Sequence, residues 1–62
     1  MLGKDDLDTL QNMISEENEL INKYETYLQQ IREPQLRSDI QNLLAQHRNR
    51  YNTMLNILED TK

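Results

Sequence analysis

The sequence predicts an all-α protein, an antiparallel two-helix hairpin that dimerises into a four-helix bundle. Apolar residues recur at alternating intervals of three and four on both sides of one proline, the spacing of a single helix face. Pro34, the only proline, divides the two runs near the middle of the chain. A chain of 62 residues offers two helices with one inner face each, too little for a self-sufficient core, and oligomerisation is the common remedy. Residues 1–62 are therefore expected to form one helical-hairpin domain.

The first helix is expected from about Asp5 to about Ile31. Asp5, Asp6 and Asp8 gather at its start, where a carboxylate can cap free N–H groups and complement the positive end of the helix dipole. Its inner stripe reads Leu7, Leu10, Ile14, Glu17, Ile21, Tyr24, Leu28 and Ile31. The turn is expected at about 32–34, because Pro34 lacks an N–H, disfavours helical geometry at Glu33 and suits the first turn of a new helix. The second helix then runs from about 34 to about 58, with Glu59, Asp60, Thr61 and Lys62 fraying. Its stripe reads Leu36, Ile40, Leu43 or Leu44, His47, Tyr51, Met54 and Leu58. At ~1.5 Å per residue each helix is roughly 40 Å long, sufficient for a four-helix bundle.

A single kinked helix is the competing architecture, since proline can bend a helix without ending it. The width of the apolar surface favours the hairpin. Met13, Leu20 and Tyr27 flank the first stripe and Leu55 and Ile57 the second, more than a two-stranded seam needs. The residues expected to form the core and the dimer contact are Leu10, Ile14, Ile21, Tyr24, Leu28, Ile40, Leu44, Tyr51, Met54 and Leu58.

Composition narrows the function. With 29% charged and 35% hydrophobic residues and a single glycine, the chain reads as folded and helical. It has no cysteine, which removes disulfide staples and thiolate metal sites. No apolar run approaches a membrane span and no signal-peptide core follows Met1, Leu2 and Gly3, so a soluble protein retained where it is made is expected. The net charge of −4 argues against nucleic acid as a partner, since phosphate binding needs a concentrated cationic surface. Charge is also divided unevenly: residues 1–31 carry −5 and residues 32–62 carry +1, an imbalance that favours side-by-side packing of the two helices.

Two polar residues interrupt the stripes. A shielded carboxylate at Glu17 must find a cation, a donor or a proton. Antiparallel pairing about a turn at 32–34 brings Glu17 to the level of residues 47–50, which include His47 and Arg50. A register-fixing hydrogen bond or ion pair is the expected role. Metal ligation by Glu17 and His47 is the sharper alternative, and the two are weak candidates for such a site.

Glu17 and Tyr24 on one helix, with a histidine facing them from the next, resemble the first half of a ferritin-like or rubrerythrin-like bundle. Such bundles hold two irons between two glutamates and two Glu-x-x-His pairs. Here Leu44 occupies the glutamate position before His47, so a dimer offers only two glutamates and two histidines.

A closer resemblance spans about residues 7–58. The run from Glu17 to Tyr27, the turn from Glu33 through Pro34, Gln35 and Leu36 to Arg37, and the segment from Gln46 and His47 to Thr53 and Leu55 are similar to the short spore coat proteins of endospore-forming Firmicutes, related to spore coat protein F and grouped with ferritin-like folds. The resemblance implies a non-enzymatic structural or assembly protein of the spore coat, synthesised in the cytoplasm, whose partners are a second copy of itself and other coat proteins. It implies no cofactor. A sporulation-associated adaptor or regulatory hairpin is the alternative, although the Ser-Gln-Glu-Leu-Asp signature of hairpin aspartyl-phosphate phosphatases is missing. A metal-binding ferritin-like half-bundle is the third.

Tyr24, Tyr27 and Tyr51 are expected to pack their rings inward with hydroxyls at the rim. Coat proteins as a class can be cross-linked through tyrosine or through lysine and glutamine. The glutamines at 29, 30, 35, 41 and 46 and the lysines at 4, 23 and 62 are also ordinary helix-surface residues. Catalysis is not expected: there is one histidine and no glycine-rich loop, and Ser15 and Ser38 lie far from His47 in any hairpin register.

Overall fold

The computed structural model describes residues 2–61 and contains two helices, α1 (Lys4–Gln30) and α2 (Pro34–Asp60), packed against each other as a hairpin. Met1 and Lys62, the ends of the expected domain, lie outside the described residues. The hairpin is 45 Å long and 14 Å by 12 Å across. The break falls where the sequence places it. Ile31 and Glu33 adopt extended backbone angles, and Pro34 opens α2 at a position where its missing N–H removes no hydrogen bond.

The helix ends correct the sequence reading at the start of α1 and the end of α2, and supply a cap for α2 that it left open. The aspartates at 5, 6 and 8 do not cap α1: its N-cap is Gly3, with no side-chain hydrogen bond, and the first turn closes through Leu7 N–H to the Gly3 carbonyl at 2.9 Å. The helix begins at Lys4, so Asp5 and Asp6 fall inside the first turn, where they act on the dipole alone. At α2 the cap is Glu33, whose carboxylate accepts from Gln35 N–H at 3.1 Å and Leu36 N–H at 2.6 Å. A glutamate is long enough to do what a shorter Ser or Asp does elsewhere. Finally, α2 continues through Glu59 and Asp60, two of the residues expected to fray. Thr61 closes it, donating its hydroxyl to the Leu58 carbonyl at 2.8 Å.

Arg37 accounts for a further difference. The sequence stripe places Leu36 on the inner face of α2, but Leu36 is 46% exposed and Arg37 is the half-buried residue. Counting back from Ile40, an interval of three was correct and an interval of four was not. The guanidinium reaches across the turn and donates to the carbonyls of Leu28 and Ile31, the latter at 2.8 Å. These carbonyls belong to the end of α1, which has no basic residue in its own last turn. A cation there satisfies exposed acceptors and complements the negative end of the dipole. The first turn of α2 thus caps the last turn of α1.

The interior is thin. Among the described residues, Leu10, Ile21, Leu44 and Met54 are the buried apolar ones, joined by His47. Ile14, Tyr24, Leu28, Ile40, Tyr51 and Leu58 are half-buried along the same seam. The choice between Leu43 and Leu44 resolves in favour of Leu44, at 4% exposure against 41% for Leu43. Met13, Leu20, Tyr27 and Ile57 remain exposed, and Leu55 is half-buried.

The caps at the turn are testable. Glu33→Ala leaves the Gln35 and Leu36 N–H groups to solvent and should destabilise the protein by about 1 kcal/mol in urea unfolding. An unchanged midpoint would mean that the cap contributes nothing.

Candidate functional site

Glu17 and His47 meet across the seam, from the middle of α1 and the middle of α2. The Glu17 Oε2 to His47 Nδ1 distance is 2.6 Å, with side-chain exposures of 13% and 11%. An ionised carboxylate only accepts, so His47 donates through Nδ1–H. The other carboxylate oxygen, Oε1, lies 3.7 Å from the guanidinium of Arg50, whose side chain is 62% exposed. One shielded carboxylate therefore faces two basic side chains, one inside the seam and one above it.

The surroundings orient the imidazole. Tyr24 lies about two helical turns beyond Glu17 on the same stripe, and its ring centroid is 5.2 Å from that of His47 at a tilt of 47°. Tyr27 continues the cluster, its centroid 6.3 Å from Tyr24. Tyr24 flanks the ring on one side while Glu17 holds Nδ1. The level arithmetic from the turn was sufficient to bring Glu17, His47 and Arg50 together.

As a metal centre the arrangement is incomplete within one chain. Among the described residues no group of three or more His, Cys, Asp or Glu side chains gathers at any point. Glu17 and His47 are two donors already joined to each other, and Leu44, at the position where a Glu-x-x-His motif carries its carboxylate, is buried apolar surface. A metal at this point would have to displace their hydrogen bond and recruit ligands from elsewhere. What the pair does as it stands is fix register, since a carboxylate at this depth finds its donors at one level of α2 only.

A second feature lies beside the pair and was not found from the stripes alone. Met13, Leu20 and Tyr27 recur at seven-residue intervals along one edge of the α1 stripe, and Leu36, Leu43, Arg50 and Ile57 do so along the equivalent edge of α2. In an antiparallel pair, equivalent edges come to the same side of the seam. Leu2 apart, all the exposed large apolar residues among those described therefore share one side of the hairpin. The opposite side carries Gln11, Asn18, Gln41 and an exposed pair, Glu25 with Arg48 at 3.6 Å. On the apolar side an open groove of about 480 Å³ runs between Met13, Glu16 and Leu20 of α1 and Arg50, Thr53 and Met54 of α2. Reading the second edge of each helix together with the chain direction would have revealed this asymmetry.

No helix among the described residues is long and apolar enough to cross a membrane. Comparison of the chain with protein-family models, with curated proteins and with solved structures finds no match.

The Glu17 and His47 contact predicts a specific pattern of stabilities. Glu17→Gln should cost under about 1.5 kcal/mol, because an amide still hydrogen-bonds without bringing a charge into the seam. His47→Leu alone should cost more, about 3 kcal/mol, by leaving the carboxylate with only the more distant Arg50. The double variant Glu17→Gln, His47→Leu should recover part of that loss. Equal and additive costs in chemical denaturation would show that the two side chains are not coupled.

Proposed function

We propose that the protein is a non-enzymatic assembly module that works as a homodimer of helical hairpins, within a four-helix bundle. The observation that carries this reading is the mismatch between what one copy buries and what it leaves in solvent. Among the described residues four apolar side chains are buried, while Met13, Leu20, Tyr27, Leu36, Leu43 and Ile57 stay exposed on a single side. At about 25 cal/mol per Å² of apolar surface, covering such a face supplies stabilisation that a two-helix chain of this size cannot find within itself.

The resemblance of the turn and of the segment around His47 to short spore coat proteins supports a more particular setting. In that setting the dimer is a structural component of a spore coat, and its polar outer faces contact other coat proteins. The Gln and Lys side chains on those faces suit an extended contact surface. Exclusive appearance of the protein in vegetative cells would rule out the coat role and leave the adaptor reading.

The metal-binding alternative is favoured by one observation, the presence of a carboxylate and an imidazole together in the seam, and opposed by the buried Leu44 beside them. Elemental analysis of purified protein should find no stoichiometric Fe, Mn or Zn. Two ions per dimer, lost with Glu17→Gln, would establish the half-bundle as a metal centre.

Self-association has a direct test. The thermal midpoint should rise with protein concentration, because only the folded state associates, and analytical ultracentrifugation should show a dimer at micromolar concentration. Ile21→Asp, at a buried position, should dissociate and unfold the protein together. Glu19→Gln, on the outer face of α1, should do neither. A folded monomer at micromolar concentration would overturn the proposal.

A further inference from the structure

We infer that the outer face of α2 is a second contact surface, through which one dimer pairs with the same face of another and dimers join in rows. This rests on the self-association proposed above and concerns a different surface, one that faces away from the seam.

The face is marked by the charge it lacks. Asn42, Gln46, Asn49, Asn52, Thr53 and Asn56 lie along it, all exposed and none charged. Between Asp39 and Glu59 the basic side chains of α2, Arg48 and Arg50, flank the seam instead, and each lies near a carboxylate of its own copy, Glu25 at 3.6 Å and Glu17 at 3.7 Å. The outer face of α1 is of the ordinary solvated kind, with Asp5, Asp8, Glu16, Glu19 and Lys23 along it. A helix position that meets only water is served best by Glu, Lys, Gln or Arg, whereas asparagine is a poorer helix former because its amide competes for nearby backbone groups. Asn42, Asn49, Asn52 and Asn56 therefore weaken the body of α2. Nothing within the hairpin offsets this, since among the described residues none of their side chains is hydrogen-bonded in the chain.

Amide chemistry and spacing select a second copy of the same face as the occupant. Each amide holds an acceptor oxygen and two N–H donors, so a row of amides is complementary to itself, as a row of carboxylates or of cations is not. Asn42, Asn49 and Asn56 fall seven residues apart on one line of the helix. A two-fold axis crossing α2 at Asn49 then sets Asn42 of each copy opposite Asn56 of the other, with Asn49 against its own equivalent. Copies of net charge −4 repel one another through their acidic surfaces, and this face carries none of that charge.

Valence and strength follow from the geometry. A dimer presents two such faces, one per copy, and a self-complementary contact at each leaves every added dimer with one face free, so pairing extends into a row. Each contact is small. At ~1.5 Å per residue the line from Asn42 to Asn56 is about 21 Å long, on a helix roughly 10 Å wide, far less than a stable interface covers. The rows are therefore reversible and form at high local concentration.

Sedimentation equilibrium of the full chain from about 10 µM to about 1 mM tests this, with the weight-average mass expected to hold at the dimer and then rise at least about 1.5-fold above it. Asn42→Lys combined with Asn56→Lys should remain a dimer throughout, because every pairing would then oppose two lysines. Its thermal midpoint should equal or exceed that of the unsubstituted chain, lysine being the better helix former. Asn12→Lys combined with Asn22→Lys makes the same change of net charge on the outer face of α1 and should leave the rise intact. An unsubstituted chain that stays at the dimer mass, or loss of the rise in both double variants, overturns the inference. A chain that is monomeric at micromolar concentration removes the dimer but still reads this surface. With one such face per particle, growth should then stop at two copies, be abolished by the Asn42 and Asn56 pair of substitutions and survive Leu43→Glu on the apolar side. Pairing lost with Leu43→Glu and kept in the lysine variant would overturn the role of α2.

Discussion

Two helices of this length can share only one stripe each, and the rest of the structure follows from that constraint. A helix in a larger domain meets several neighbours, and its flanking residues are covered in turn. Here the seam between α1 and α2 buries Leu10, Ile21, Leu44 and Met54, and every residue beside it faces solvent or half-faces it. Polar contacts then acquire a larger share of the work of specification. The apolar stripes attract without distinguishing one level from another, while Glu17 distinguishes strongly. Sliding α2 along α1 by one heptad would remove His47 from the carboxylate and bring Ile40 or Met54 towards it.

The same constraint explains why the turn is closely secured. Between Gln30 and Pro34 only three residues intervene, and side chains from both flanks close the adjoining helix ends. Glu33 caps forward into α2 and Arg37 caps backward onto α1. Neither contact buries much surface. Each satisfies backbone groups that a small interior has no other means to cover.

The hairpin and its central contact were legible in the sequence because both depend on local arithmetic. The interval of three and four identifies a face, Pro34 locates the reversal, and equal distances from the reversal bring Glu17 opposite His47 and Arg50. The misreadings arose where more than one solution satisfied the same arithmetic. Leu36 and Arg37 both continue the stripe, and the hydrophobic choice failed because the end of α1 offered the guanidinium carbonyls to bond. Asp5, Asp6 and Asp8 are favourable types for a cap, yet the helix started earlier, at Lys4. The concentration of exposed apolar groups on one side was encoded at seven-residue intervals in each helix, but it becomes visible only when the two edges are related by the antiparallel geometry.

The backward reach of Arg37 also bears on how the chain acquires its shape. Its contact with Ile31 spans six residues, one of the shortest separations at which two helices can touch. Closing so short a loop forfeits little chain entropy, and each further layer of the seam then forms next to one already in place. The hairpin can therefore zip from its turn towards its open end, with Glu17 and His47 meeting only after several apolar layers have joined. An error in alignment would be met halfway along, at the carboxylate, before the last turns of either helix had committed.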